Sequence, residues 1–295
     1  MKLTVVDRWV IGYSVVLSLA AVVWGDDPAL YRESHLFHAI AVATVLAAAR
    51  WIPERGRFWK IARHGYVFLL LGFFYRDTGP YVFLFFKNWF DLQLVAWEEA
   101  VFGFNVPQAI ARIRSVWLLE LWMFGYVFYY LMLPVATVVA FVRNDTERYR
   151  RMMEAACAVF FVSFGMFALF PLEGPRWALA SVLPPIEGGP LFRLVMAIQH
   201  GGSIRGGCMP SSHTAVSWVV TWYVYHMDRR VGRVLMVIST LLSVGCFWGR
   251  FHYVTDVLVG LVLFALAVAH TEWRHRRATR RVQPAARREE APCIP

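Results

Sequence analysis

The chain has 295 residues, 58% of them hydrophobic and only 17% charged, with a net charge of +10 and a mean hydropathy of +0.48. Soluble domains carry an apolar share of roughly one half, so an ordinary soluble domain is excluded. The charges gather between apolar runs long enough to cross a bilayer, which takes about 20 residues as helix. Lipid offers no hydrogen-bond partners, so each crossing must satisfy its own backbone. The fold class is therefore all-α, a polytopic membrane helix bundle.

In chain order the apolar runs predict eight crossings, at 8–24, 36–52, 63–86, 117–142, 152–171, 212–227, 232–250 and 254–271. The first follows Lys2 and Arg8 in the manner of a secretory signal. No small-x-small cleavage site precedes Gly25, so it is read as a retained helix. The loops 50–64, 143–151 and 228–233 and the tail 273–281 are rich in arginine and are alternate loops counted from the basic N-terminus, so they share one side. Positive loops stay cytoplasmic, which places both termini inside. The net positive charge is thereby assigned to topology and to anionic lipid head groups, not to nucleic acid. Residues 1–271 form one membrane domain, and 272–295 form a basic tail expected to be disordered.

The other loops face outward. The first long one, 87–116, mixes aromatic and acidic residues at helical spacing ("NWFDLQLVAWEEAVFGF"), which predicts one or two helices lying in the interface. The second, 172–211, holds an amphipathic stretch, "LFRLVMAIQH" (191–200), among glycines and prolines dense enough to let the backbone pack tightly near a ligand. Cys157 and Cys246 lie in apolar helices, Cys208 outside and Cys293 in the tail, so no disulfide framework is expected.

Three helix ends bring ionisable and hydroxyl groups to the same outer level. In "GRFHYVTDV" (249–257), His252 and Asp256 stand four apart and share a face if helical. An aspartate behind a histidine fixes its tautomer and supports the charge that develops when the other nitrogen reacts. Arg250 is near enough to hold an anion there. In "GCMPSSHTAVSW" (207–218), Pro210 presets a turn and Ser211 or Ser212 caps the helix, putting His213 in a first turn that favours an anion. "FPLEGPRW" (170–177) brings out Arg176, whose planar guanidinium binds phosphate through two parallel hydrogen bonds. Each residue alone has an ordinary structural explanation; their convergence points to one anion-handling site. In "FYRDTGP" (74–80), Arg76 and Asp77 interrupt an apolar run and need separate partners, either as head-group contacts or as anchors within the bundle. His200 and Lys87 are further candidates for head-group contact. No metal-ligand cluster is evident, and no metal or other cofactor is expected.

The order Arg, then Pro-Ser-x-His, then His-x-x-x-Asp resembles the type 2 phosphatidic acid phosphatase superfamily over about 170–260. "GRFHYVTD", the eight crossings and the aromatic "NWFD" loop are most similar to its branch of inositol phosphorylceramide synthases and their bacterial relatives. The resemblance implies that His252 is a nucleophile taking up a phosphoryl group, Asp256 its orienting acid and His213 the acid that protonates the departing alcohol. Arg176, Ser211 or Ser212, and Arg250 are then the phosphate ligands. It also implies a lipid phosphate or phospholipid as donor, and water or a lipid hydroxyl as acceptor. A bacterial inner membrane, with the site on the periplasmic (or luminal) side, fits the topology. The chain departs from the family pattern at Leu169, where a lysine is usual, at Trp177, where a proline follows the arginine, and at Cys246, where an arginine is usual. Lys87 or Arg76 are candidates to replace the lysine. A non-catalytic lipid-binding or transport protein keeping the same fold is the rival expectation, against which the presence of His213, His252 and Asp256 argues.

Overall fold

The computed structural model describes residues 2–289, with side chains through residue 280. The helices are α1 (Val5–Trp24), α2 (Pro28–Trp51), α3 (Gly56–Gly65), α4 (Phe68–Asp77), α5 (Asp91–Phe102), α6 (Val106–Ala111), α7 (Val116–Arg143), α8 (Thr146–Leu169), α9 (Pro175–Ala178), α10 (Pro190–Gly202), α11 (Ser212–Met227), α12 (Arg229–Trp248) and α13 (Val254–Glu289). Among the described residues the one β feature is an isolated parallel bridge between Leu172 and Gly207. Five helices (α1, α7, α8, α12 and α13) are long and apolar enough to cross a membrane. Their outward faces stay apolar, with Val16, Val22, Val138 and Leu266 exposed, as contact with lipid requires. The protein is an integral membrane helix bundle.

The other three expected crossings take different forms. The run 36–52 lies inside α2, which begins earlier on the Asp27 cap and Pro28. The run 63–86 is not one helix. It is α3 and α4 joined through Tyr66 and Val67, then a 3₁₀ turn at Gly79–Tyr81 and irregular backbone. Pro80 has no N–H to donate and cannot continue the helix, while the Thr78 hydroxyl turns back to the Phe74 carbonyl at 2.8 Å. The run 212–227 is α11, whose 16 residues reach only about 24 Å. It is enclosed by α7, α8, α12 and α13 and serves as the central post of the bundle. Small and β-branched residues make that enclosure possible: Ala215, Val216, Val219, Val220 and Val224 are all buried.

At the end away from the three motifs, the arginine-rich loops meet one another. Arg143 pairs with Asp228, Arg151 with Glu272 at 2.9 Å, and His275 Nδ1 lies 3.3 Å from Glu147. α13 runs on past 271 to Glu289, and at its Glu272 it accepts from both Arg151 and the Tyr223 hydroxyl. Residues 290–295, including Cys293, lie outside the described residues.

α7 and α12 approach closely where the site is built. A Cβ on Gly125 would stand 2.6 Å from the Leu242 nitrogen, and one on Gly245 would stand 2.9 Å from the Trp122 carbonyl. Small residues at such crossings let helices pack without a hydrophobic driving force between them. Gly125→Ala is expected to cost about 1–3 kcal/mol through overpacking, read as a lower melting temperature in detergent. An unchanged melting temperature would mean that the two helices stand further apart.

Candidate active site

The three motif segments are tied together by their backbones. Arg176 N donates to Arg250 O and Ser211 N to Asp256 O, each at 3.0 Å, and Leu172 bridges to Gly207. Gly174 makes the first segment fit. Its φ is +88°, and a Cβ there would meet Phe251 O at 3.0 Å and Cys208 Sγ at 3.2 Å, so a side chain is excluded on both counts.

His252 does not lie on a helix with Asp256. It occupies the bend before α13, where its N–H and that of Phe251 both donate to Cys246 O. Asp256 stands in the first turn of α13 and accepts from Tyr253 N at 2.8 Å, capping that helix. This local cap brings the pair together, with His252 Nδ1 3.5 Å from Asp256 Oδ2. Asp256 is fully buried and its Oδ1 has no partner within the protein. The Cys208 thiol donates to the same Oδ2 at 2.8 Å. Burial, then the adjacent carboxylate, pushes that thiol well above its usual range and keeps it a donor.

His213 faces His252 at the start of α11, with ring centroids 5.9 Å apart. Its Nε2 lies 3.4 Å from the Tyr126 hydroxyl, which receives a hydrogen bond from Gln199 at 2.6 Å. Arg176 reaches the same space with its guanidinium carbon 5.0 Å from the Trp177 ring and 5.3 Å from that of Phe251. These groups enclose a chamber of about 30 Å³ lined by His213, His252, Arg176, Cys208, Gln199 and Ser203, among others. Two buried polar atoms at this site, His213 Nδ1 and Arg176 Nε, have no partner in the protein.

The remaining candidates are placed less uniformly. Arg250, in a left-handed conformation with φ +59°, donates to Pro184 O at 2.7 Å. It shares with Arg176 a neighbouring cavity of about 270 Å³ and does not line the chamber itself. Ser211 is fully buried and caps α11 by accepting from Thr214 N, so its hydroxyl is committed to the fold. Ser212 lines an apolar cavity beside His213. Lys87 pairs with Asp26 in an exposed position, and His200 is exposed near the end of α10; neither lines the chamber. Asp77 Oδ2 stands 2.9 Å from the buried His38 Nε2, and its neighbour Arg76 points to the exposed side. That contact ties α4 to α2. Of the family departures, Trp177 supplies an aromatic face to Arg176, and Cys246 packs against Ser211 and Thr214.

Several residues at the site carried no motif signal. Tyr126, Gln199 and Ser203 come from amphipathic stretches whose apolar periodicity hides single polar members. Asp91, in α5, is 2% exposed. It accepts from Glu173 N and Gly174 N at 2.9 Å and from the Tyr253 hydroxyl at 2.8 Å. Burial pushes its carboxyl up while these three donors pull against that shift. Two turns further along the same face of α5, Glu98 accepts from both N–H and hydroxyl of Thr255 at 2.7 Å. Asp91→Asn is expected to lower stability by about 1–3 kcal/mol, since the amide leaves one donor unpaired, measured as a shift in melting temperature. An unshifted transition would show that these bonds do not bear on the fold.

A protein-family model described as the PAP2 superfamily matches residues 92–270, more than half of the chain. Comparisons with curated proteins and with solved structures give no match. The matched residues begin in α5 and end in α13, taking in every chamber residue named above, and the chain belongs to the PAP2 superfamily.

Proposed function

We propose that the protein cleaves a phosphoester of a lipid by transferring the phosphoryl or phospho-head-group to His252. A single observation carries this reading. The polar chamber between His213 and His252 meets an apolar cavity of about 450 Å³, and Tyr75, Gln199, Ser203 and His213 line both. The cavity walls include Leu69, Leu71, Phe160 and Phe164. A molecule filling both spaces has a phosphate at one end and a hydrocarbon tail at the other.

The roles follow from position. Asp256 holds the proton of His252 Nδ1, leaving a lone pair on Nε2 for attack on phosphorus. His213 stands where the apolar cavity opens, so the alcohol it protonates on departure is the lipid one. Arg176 stabilises the charge on the phosphoryl oxygens, and its lack of a carboxylate partner among the described residues leaves it free to do so. Arg250 serves the neighbouring cavity, where a polar head group attached to the phosphate extends.

Breakdown of the phosphohistidine by water makes the protein a lipid phosphatase. Breakdown by a lipid hydroxyl makes it a head-group transferase of the inositol phosphorylceramide synthase type. The apolar route to His213 favours the second, since an acceptor lipid enters by the path through which the first lipid alcohol left. The alternating basic loops favour cytoplasmic termini, and with them a chamber on the opposite face, periplasmic if the membrane is a bacterial inner one.

A mass-spectrometric product assay on purified protein in mixed micelles tests this. Free phosphate without any acceptor requirement identifies a phosphatase, and a new phospholipid formed only with diacylglycerol or ceramide identifies a transferase. His252→Ala is expected to lower turnover by at least about a thousandfold, with the melting temperature kept. Full activity in that variant would refute the assignment. Asp256→Asn, which favours the wrong tautomer, is expected to cost about 10²- to 10⁴-fold, and a wild-type rate would remove Asp256 from the mechanism. Vanadate, a mimic of five-coordinate phosphorus, is expected to inhibit; indifference to millimolar vanadate would count against the phosphoryl chamber.

A further inference from the structure

The fold brings Cys208 to the His252–Asp256 pair from 44 residues away in the sequence. Cys208 Sγ lies 2.8 Å from Asp256 Oδ2 and 3.6 Å from His252 Nδ1, and that nitrogen lies 3.5 Å from the same Oδ2. All three residues are buried, and among the described residues they form the one such group of histidine, cysteine and carboxylate. Thiolate, imidazole and carboxylate are the donor types of zinc, with bonds of about 2.3, 2.0–2.1 and 2.0–2.2 Å. At tetrahedral angles those lengths require sulfur–nitrogen and sulfur–oxygen edges of about 3.6 Å and a nitrogen–oxygen edge of about 3.4 Å. Two edges already have these lengths. The third is a hydrogen bond whose proton a metal displaces, and it opens by about 0.8 Å to reach the required edge. The fourth vertex is available from the chamber, which Cys208 and His252 both line.

We propose that Cys208, His252 and Asp256 form an inhibitory site for zinc or another thiophilic divalent cation, so that ion binding and phosphoryl transfer exclude one another. The inference rests on His252 acting as the nucleophile. Attack on phosphorus needs the imidazole proton on Nδ1 and the lone pair on Nε2. A metal on Nδ1 takes the lone pair there, and the ring proton sits on Nε2. The thiol proton passes to solvent, and the ion's two positive charges are balanced by the thiolate and the carboxylate. The histidine then has nothing to offer phosphorus, and Asp256 no longer holds its proton. Magnesium, which prefers oxygen ligands and keeps its waters, does not compete for this set.

The test uses the full chain in micelles and two readouts. Turnover is titrated with zinc, each protein being compared with its own zinc-free rate. Cobalt binding is followed separately through the thiolate-to-cobalt charge-transfer band. Cys208→Ser keeps a hydroxyl to donate to Asp256 but removes the thiolate; Cys208→Ala stands in if the serine variant does not fold. The wild type is expected to be inhibited by zinc, restored by a chelator and unaffected by magnesium. Cys208→Ser is expected to raise the half-inhibitory zinc concentration by at least about 100-fold and to abolish the cobalt band, while Cys293→Ser behaves as wild type. Equal inhibition in Cys208→Ser, or no cobalt band in the wild type, would overturn the site. A Cys208-dependent cobalt band without any effect on turnover would keep the cation site and overturn the nucleophilic role of His252, so the two failures are distinct.

Discussion

The Asp91 carboxylate is the constraint on which the site depends. It receives two backbone N–H groups from the turn that carries Arg176 and the hydroxyl of Tyr253, next to His252. One buried charge thereby holds the first and third motif segments in register. A carboxylate satisfied by three donors in a dry setting is costly to misplace, because any shift leaves a donor or the charge itself unpaired. Glu98 repeats the arrangement at Thr255. The helix that looks like an accessory on the surface is thus a clamp on the segments that carry Arg176 and His252.

Around this clamp the bundle separates two environments. The chamber is small and polar, and Arg176 reaches it from a half-buried position, where its attraction for an anion is stronger than in open water. Beside it lies the apolar cavity among α4, α7, α8 and α10. His213 belongs to both, and the line Gln199–Tyr126–His213 ties its ring to α7 and α10. A group positioned at such a boundary can exchange protons with an alcohol whose carbon chain never leaves an apolar surrounding. The same fold gathers Cys208, His252 and Asp256 within 3.6 Å of one another, so that in the proposed scheme phosphoryl transfer and cation binding compete for one imidazole.

Much of the fold was legible because membrane helices are written in composition. The apolar runs at 117–142, 152–171, 232–250 and 254–271 each correspond to a helix, since a lipid-facing segment must be apolar over its whole length. The run 63–86 misled because hydropathy averages over a window and does not register the break that Thr78, Gly79 and Pro80 impose. α11 was recognisable as a helix but not as an enclosed post, because enclosure depends on which neighbours surround it. The convergence of His213, His252, Asp256 and Arg176 was foreshadowed by residue types and spacing that are unusual at the ends of apolar runs. A serine before a helix reads equally as a cap or a ligand, and in the structure Ser211 accepts from Thr214 N and caps α11. Lys87 and Asp77 were drawn to Asp26 and His38, partners that no local pattern announces.

By itself, then, the sequence determined the solvent this protein lives in, the approximate helices and the residue types able to handle a phosphate, because those follow from local composition and short spacing. The tertiary structure decided which of them meet. Arg176, His213 and His252 lie in segments up to 76 residues apart (176 to 252), and the Asp91 clamp, the Tyr126–Gln199 support and the Cys208 contact join residues from different helices. Hydrogen bonding and packing act over a few ångströms in space, and a linear chain carries no short-range record of which distant groups will come within that reach.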